Sequence, residues 1–177
     1  MNTAWPGDLR IFCLRLCLIV LFLAVIPLSA LMGFGMHPAF LAPVIGVTAL
    51  FQAGAVGFAA PIGHPISFFL AVLSIGFALI LIEFEILDAV AMTSARVSRW
   101  IKNVDARAQK ITFIRKYGIY TLIPLMWIPG IGLYGGVIID WIFQWKRVNS
   151  IILLFTGWFL ACAAVLAFIM GAIEIIF

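Results

Sequence analysis

The sequence predicts an all-α integral membrane protein: three full transmembrane helices, two re-entrant or broken hairpins, and one amphipathic helix on the cytoplasmic surface. Three observations carry this prediction. Residues 16–82 hold no Asp, Glu, Lys or Arg, and one spanning helix needs only about 20 apolar residues. Charged residues are 10% of the chain and hydrophobic ones 66%, whereas a soluble domain carries about 25% charged residues. Finally, the stretch 117–145 is apolar enough to enter a bilayer, yet its middle holds Pro124, Pro129, Gly130, Gly132, Gly135 and Gly136. With a mean hydropathy of +1.23, residues 1–177 read as a single membrane domain.

The elements follow in order. A first helix is predicted over 9–36. Arg10 and Arg15 hold its start in the cytoplasm by the positive-inside rule. Gly35-Met36-His37-Pro38 ends it on the other side, because a residue before proline disfavours the helical region. Its apolar run exceeds the roughly 7–15 residues of a signal-peptide core, so an uncleaved helix is expected. Residues 39–62 are apolar but broken by Pro43, Gly46, Gln52, Gly54, Gly57 and Pro61. They form either a second span or a first hairpin entered from outside. Gly63-His64-Pro65 then opens a cleaner helix over 66–90, whose last turns carry Glu83, Glu85 and Asp88.

Residues 92–116 differ in kind. They hold Arg96, Arg99, Lys102, Arg107, Lys110, Arg115 and Lys116 against one acid, Asp105. Val97, Ile101, Val104, Ala108 and Ile111 recur at helical spacing. This pattern fits a helix lying on anionic lipid headgroups. Trp100 is expected at headgroup level.

The stretch 117–145 is predicted to dip and return. A proline inside a helix costs about 3 kcal/mol, and broken backbone at membrane depth survives only where protein or water covers it. A dip also leaves Lys146 and Arg147 on the side of the other nine bases, so all eleven are cytoplasmic. The last helix, 148–177, then runs outward and takes the C-terminus to the opposite side of the cell membrane. A broken segment followed by a clean span occurs twice, with opposite entry sides. That is the outline of an inverted repeat.

The formal charge of +4 does not argue for nucleic acid, since the bases flank apolar runs. Cys13, Cys17 and Cys162 read as small buried hydrophobes. No catalytic triad, phosphate loop or metal-ligand spacing occurs. A non-enzyme without cofactor is expected. Expected partners are membrane lipids and anionic headgroups, with a homo-oligomer or a larger membrane complex left open.

Several polar groups are candidates. Asp140 is the only charge within the broken stretch. It either binds a cation or proton, or sits at the rim paired with Lys146 or Arg147; the rim is the preferred reading. Glu83, Glu85 and Asp88 either hold a proton or an ion, or pair with Arg96 and Arg99 just downstream, which is preferred. His37 and His64 each precede a proline. They either bind a metal weakly or cap loops. Gln52 needs a partner in a membrane segment. With Pro61, Pro124, Pro129, the glycines at 130, 132, 135 and 136, and Asp140, it marks the expected hairpin pathway.

Lys116-Tyr117-Gly118, then Ile128-Pro129-Gly130-Ile131-Gly132, then Gly135-Gly136 and a later Thr156-Gly157 resemble the small multidrug export protein family. That family is similar to the DedA and SNARE-associated Golgi protein group. The resemblance covers about 54–168 and is specific at 116–136. It implies a transporter or lipid scramblase with two facing re-entrant loops. The family's charged E-x-R-G-A pattern is Phe51-Gln52-Ala53-Gly54-Ala55 here. The expected function is therefore a small transporter-like or lipid-handling protein. The alternative is a non-catalytic accessory subunit of a larger membrane complex.

Overall fold

The computed structural model describes residues 5–62, 64–93, 118–128, 132–143 and 145–176. No strand occurs among the described residues. The surface helix predicted over 92–116 lies almost wholly outside them, as do its bases Arg96, Arg99, Lys102, Arg107, Lys110, Arg115 and Lys116. Pro129 and Gly130 lie outside them too.

The first predicted helix is α1 (Trp5–Val20), a π-helical turn over Leu21–Val25, and α2 (Ile26–Gly33). The turn has an identifiable cause. Pro27 carries no N–H, and the Ile26 N–H bonds the Leu21 carbonyl instead of Phe22. The Phe22 carbonyl thus loses both local donors. The Ser74 hydroxyl donates to it at 2.6 Å from another helix, which satisfies a group that cannot be left bare in an apolar medium.

The next segment is α3 (Leu41–Phe51) and a 3₁₀ stretch over Gln52–Ile62. Pro43 lies in the first turn of α3, where proline costs little. The break falls at Gln52, which has φ +53° and ψ −131°. Within the stretch that follows, Ala55 and Val56 are fully buried.

Helix α4 (Pro65–Thr93) is the hub. Half of its apolar span is buried, against 11% for the first span. It packs on α1, α2, α3 and the last two helices of the chain. The second broken stretch gives a 3₁₀ turn over Gly118–Thr121, α5 (Leu122–Leu125) and α6 (Gly132–Phe143). The chain closes with α7 (Arg147–Ile176). The core joins Phe84, Ile75 and Ile80 of α4 to Leu133 and Val137 of α6 and Leu154 and Trp158 of α7.

Four segments are long and apolar enough to cross a membrane: Cys13–Gly33, Pro38–Phe58, Pro65–Val90 and Arg147–Gly171. Helix α6 is apolar but shorter. The chain is thus a multi-pass membrane protein by length and composition.

Candidate functional site between the two broken segments

Two ends of the helix set can be told apart by their contacts. At one end, Arg15 of α1 meets Glu85 of α4 at 2.9 Å. Arg147 of α7 meets Asp88 at 2.6 Å and Glu85 at 3.7 Å, and lies 4.4 Å over the Phe84 ring. The Trp141 indole N–H of α6 donates to Asp88 at 3.2 Å. Among the described residues, bases from α1 and α7 hold Glu85 and Asp88; the expected partners Arg96 and Arg99 lie outside them. At the other end, the Ser67 hydroxyl of α4 donates to the His64 carbonyl at 2.9 Å and approaches Met36 Sδ at 3.8 Å. His37 Nδ1 accepts the Ala39 N–H at 3.2 Å and caps the short turn at Pro38. Among the described residues no three His, Cys, Asp or Glu side chains could together hold a metal ion.

Residues 38–62 lie between Met36 and Ser67, which are neighbours. Residues 94–146 lie between α4 and α7, which are tied together by Asp88 and Arg147.

The two segments touch. Gln52, where α3 breaks, accepts the Leu133 N–H at the start of α6 through Oε1 at 3.3 Å. One residue on, the Tyr134 hydroxyl donates to the Ala49 carbonyl in the last turn of α3. The turn before α6 is tight: the Gly132 N–H bonds the Ile128 carbonyl at 2.8 Å. A Cβ at Gly132 would lie 2.6 Å from the Met126 carbonyl oxygen. Helix α7 passes directly behind, and a Cβ at Gly157 would lie 2.9 Å from Met126 and 3.1 Å from the Ile123 backbone. Gly157 is ten residues beyond Arg147, or about 15 Å along a helix. That is half of a hydrocarbon core about 30 Å thick.

A cavity of ≈ 330 Å³ opens where the segments meet. Phe51, Gln52 and Gly54 line it from one side and Met126, Trp127 and Ile128 from the other, with the α7 face from Ala161 to Phe168 as its floor. Gln52 is 2% exposed, while Trp127 and Phe168 at the rim are 53% and 78% exposed. The Gln52 amide nitrogen, Nε2, is buried without a partner. Among the described residues no charged side chain lines the cavity.

The other candidates fall elsewhere. Gly132 and Gly136 are buried against Met126 and Leu154. Gly135 is half-buried and Pro124 is exposed. Pro61 lies in the 3₁₀ stretch, and its side chain is outside the description. Asp140 lies near the Arg147 end of the helix set but is buried there. It is 2% exposed, beside the Ser150 hydroxyl of α7, with one carboxylate oxygen unpartnered. It makes no close ion pair among the described residues, since Arg147 is held by Asp88 and Glu85, but the Arg147 charge lies within electrostatic reach of it. Glu83 keeps both carboxylate oxygens buried and unpartnered, within electrostatic reach of Tyr134. Tyr134 was not singled out in the sequence. Its signal was a phenol set among the glycines at 132, 135 and 136.

Compared with family models, curated proteins and solved structures, the chain matches none.

Proposed function

We propose that this is a non-catalytic membrane protein that handles lipid or another amphiphile, using two opposed re-entrant segments whose tips meet near the middle of the bilayer. The contact between Gln52 and Leu133 carries this reading. Each participant stands at the break of a segment that returns to its own end of the helix set. Helix α6 has 12 residues, about 18 Å at 1.5 Å per residue, and falls short of a full crossing. Backbone breaks at this depth are tolerated because protein buries them, and such breaks mark the binding sites of many transporters.

The cavity beside the contact favours an amphiphile over an ion. Its walls are apolar, its rim carries exposed aromatic side chains, and it offers no charge to an inorganic cargo. In this reading the eleven bases face the cytoplasm, the C-terminus lies across the membrane, and the bases over 96–116 rest on anionic headgroups.

An accessory role in a larger complex is the second reading. It is favoured by the exposed aromatics Phe34, Phe40, Phe58, Tyr120 and Phe159, which suit helix–helix contact as well as lipid. Reconstitution separates the two. Vesicles carrying a fluorescent phospholipid in both leaflets lose about half of their signal to an impermeant quencher. Lipid handling predicts loss well beyond half in vesicles that contain the protein. Loss of only half, with recovery of the chain in a larger assembly after mild solubilisation, favours the accessory role.

A further inference from the structure

The geometry points to Gln52 as the reader of an uncharged carbonyl: the ester group of an acyl chain, taken into the cavity between the broken segments. This deepens the proposed lipid-handling function and rests on it. The orientation of the carboxamide is fixed by its partner. The Leu133 N–H can only donate, so the atom 3.3 Å from it must be Oε1; a flipped amide would set donor against donor. The remaining end, Nε2, therefore presents two N–H donors. They are buried and meet no acceptor.

An unsatisfied buried donor is costly, and native interiors rarely keep one without a reason. The nearby Tyr134 hydroxyl does not relieve it, being committed to Ala49. Among the residues that line the cavity, Gln52 alone holds a buried side-chain polar atom without a partner. A guest in the cavity that Gln52 lines would supply the acceptor. Its class follows from the walls. With no charged side chain among the described lining residues, an ionised phosphate or carboxylate entering here would lose its hydration unanswered. An ester carbonyl accepts a hydrogen bond without carrying charge, and its acyl chain fits an apolar floor. At ≈ 330 Å³ the cavity is near the lower end of small-ligand sites, which run about 300–1,000 Å³. It suits one acyl segment better than a whole lipid. The backbone agrees: Gln52 holds φ +53°, a conformation that side-chain-bearing residues rarely keep without a function.

The test measures lipid retained by the detergent-solubilised full chain in native mass spectra. The probes are a dipalmitoyl phosphocholine, its diether analogue lacking both carbonyls, and methyl palmitate. One net hydrogen bond corresponds to about three- to tenfold in retention. Wild type should keep the diester over the diether by that factor, and Gln52→Met should bring the ratio to one. Preference for the diester assigns the guest to membrane lipid, and retention of methyl palmitate alone assigns it to a free acyl ester. Because Gln52→Met also removes the bond to Leu133, Ala164→Leu is a second variant. It fills the cavity and leaves the carboxamide intact, and it should lower retention of diester and diether together. Equal retention of diester and diether by wild type overturns the carbonyl-reading role while leaving the lipid-handling function standing. An unchanged ratio in Gln52→Met, or unchanged retention in Ala164→Leu, overturns it as well. Retention of no probe, together with no translocation in vesicles, removes both.

Discussion

Trp158 occupies the space that a side chain at position 76 would need. A Cβ built on Gly76 of α4 runs into the indole at Cε2, Nε1 and Cζ2. Both residues are fully or largely enclosed in the helix set, with Trp158 at 0% exposure. The absence of a side chain at 76 is therefore what lets α4 and α7 approach around the largest buried residue of the core.

Gly76→Ala should destabilise the protein by about 1–3 kcal/mol, the usual cost of overpacking a filled core. Gly46→Ala is the control, since a Cβ there meets nothing within 4 Å. In a helix interior such a change gains about 0.5–1 kcal/mol. Unfolding midpoints in detergent, followed by circular dichroism, should move in opposite directions. Parallel shifts would mean that α4 and α7 do not meet through Trp158.

Arg147 should matter more than Arg15. It contacts two carboxylates and an aromatic face, and its side chain is 31% exposed against 43% for Arg15. Losing a charge-assisted bond and a cation–π contact costs roughly 1–2 kcal/mol. An exposed ion pair is worth about 0–1 kcal/mol. Arg147→Ala should therefore lower the unfolding midpoint more than Arg15→Ala, with Arg147→Lys between them because lysine cannot keep the planar stacking. Equal shifts for the two alanine variants would place Arg147 in solvent.

The helix classes were legible because the bilayer imposes one length and one polarity on every span. The break in residues 38–62 was legible only as a region. Proline and glycine drew attention, yet Pro43 sits harmlessly in the first turn of α3 while Gln52, an ordinary helix former, takes the positive φ. That choice depends on Leu133, 81 residues away, and leaves no local trace. The charged residues tell the same story. Reading by sequence distance paired the acids of α4 with Arg96 and Arg99, and Asp140 with Lys146 or Arg147. Folding brought in Arg15 from 70 residues away and set Asp140 beside a serine, with Arg147 within electrostatic reach. Nothing local to Gly76 showed why the position is bare, because the cause is a tryptophan on another helix.

The proposed dip predicts a labelling pattern. With Cys13, Cys17 and Cys162 replaced, single cysteines at positions 116 and 146 should react with an impermeant maleimide from one side of the membrane. A cysteine at 37 should react from the other. Reaction of 116 and 146 from opposite sides would make 117–145 a full crossing and would remove the opposed-segment architecture.

Two glycines in the second broken segment should differ in how much they tolerate. A Cβ at Gly132 would meet backbone, the Met126 carbonyl oxygen at 2.6 Å and the Leu125 oxygen at 3.0 Å. These atoms can move only if the turn opens. A Cβ at Gly136 would meet the Leu154 side chain at 2.9 Å and the tip of Met126 at 3.6 Å, groups that can rotate away. Gly132→Ala should cost at least about 2 kcal/mol and Gly136→Ala about 1 kcal/mol or less. The reverse order in thermal unfolding would show that the turn before α6 is looser than described.

Backbone strain at Gln52 can be separated from the loss of its carboxamide. Gln52→Ala and Gln52→Gly both delete the bond to Leu133 and the unpartnered Nε2. They differ in that alanine keeps a Cβ at φ +53° and ψ −131°, whereas glycine takes that conformation freely. Holding a residue with a side chain there costs about 1–3 kcal/mol. Against this, glycine adds unfolded-chain entropy worth about 0.4–1 kcal/mol. The strain is the larger effect, so Gln52→Gly should be the more stable of the two by about 1 kcal/mol, reversing the order found in an ordinary helix. Alanine proving more stable would mean that the chain at position 52 relaxes to a common conformation. The tips of the two broken segments would then not be held at the angle that brings Leu133 to the carboxamide.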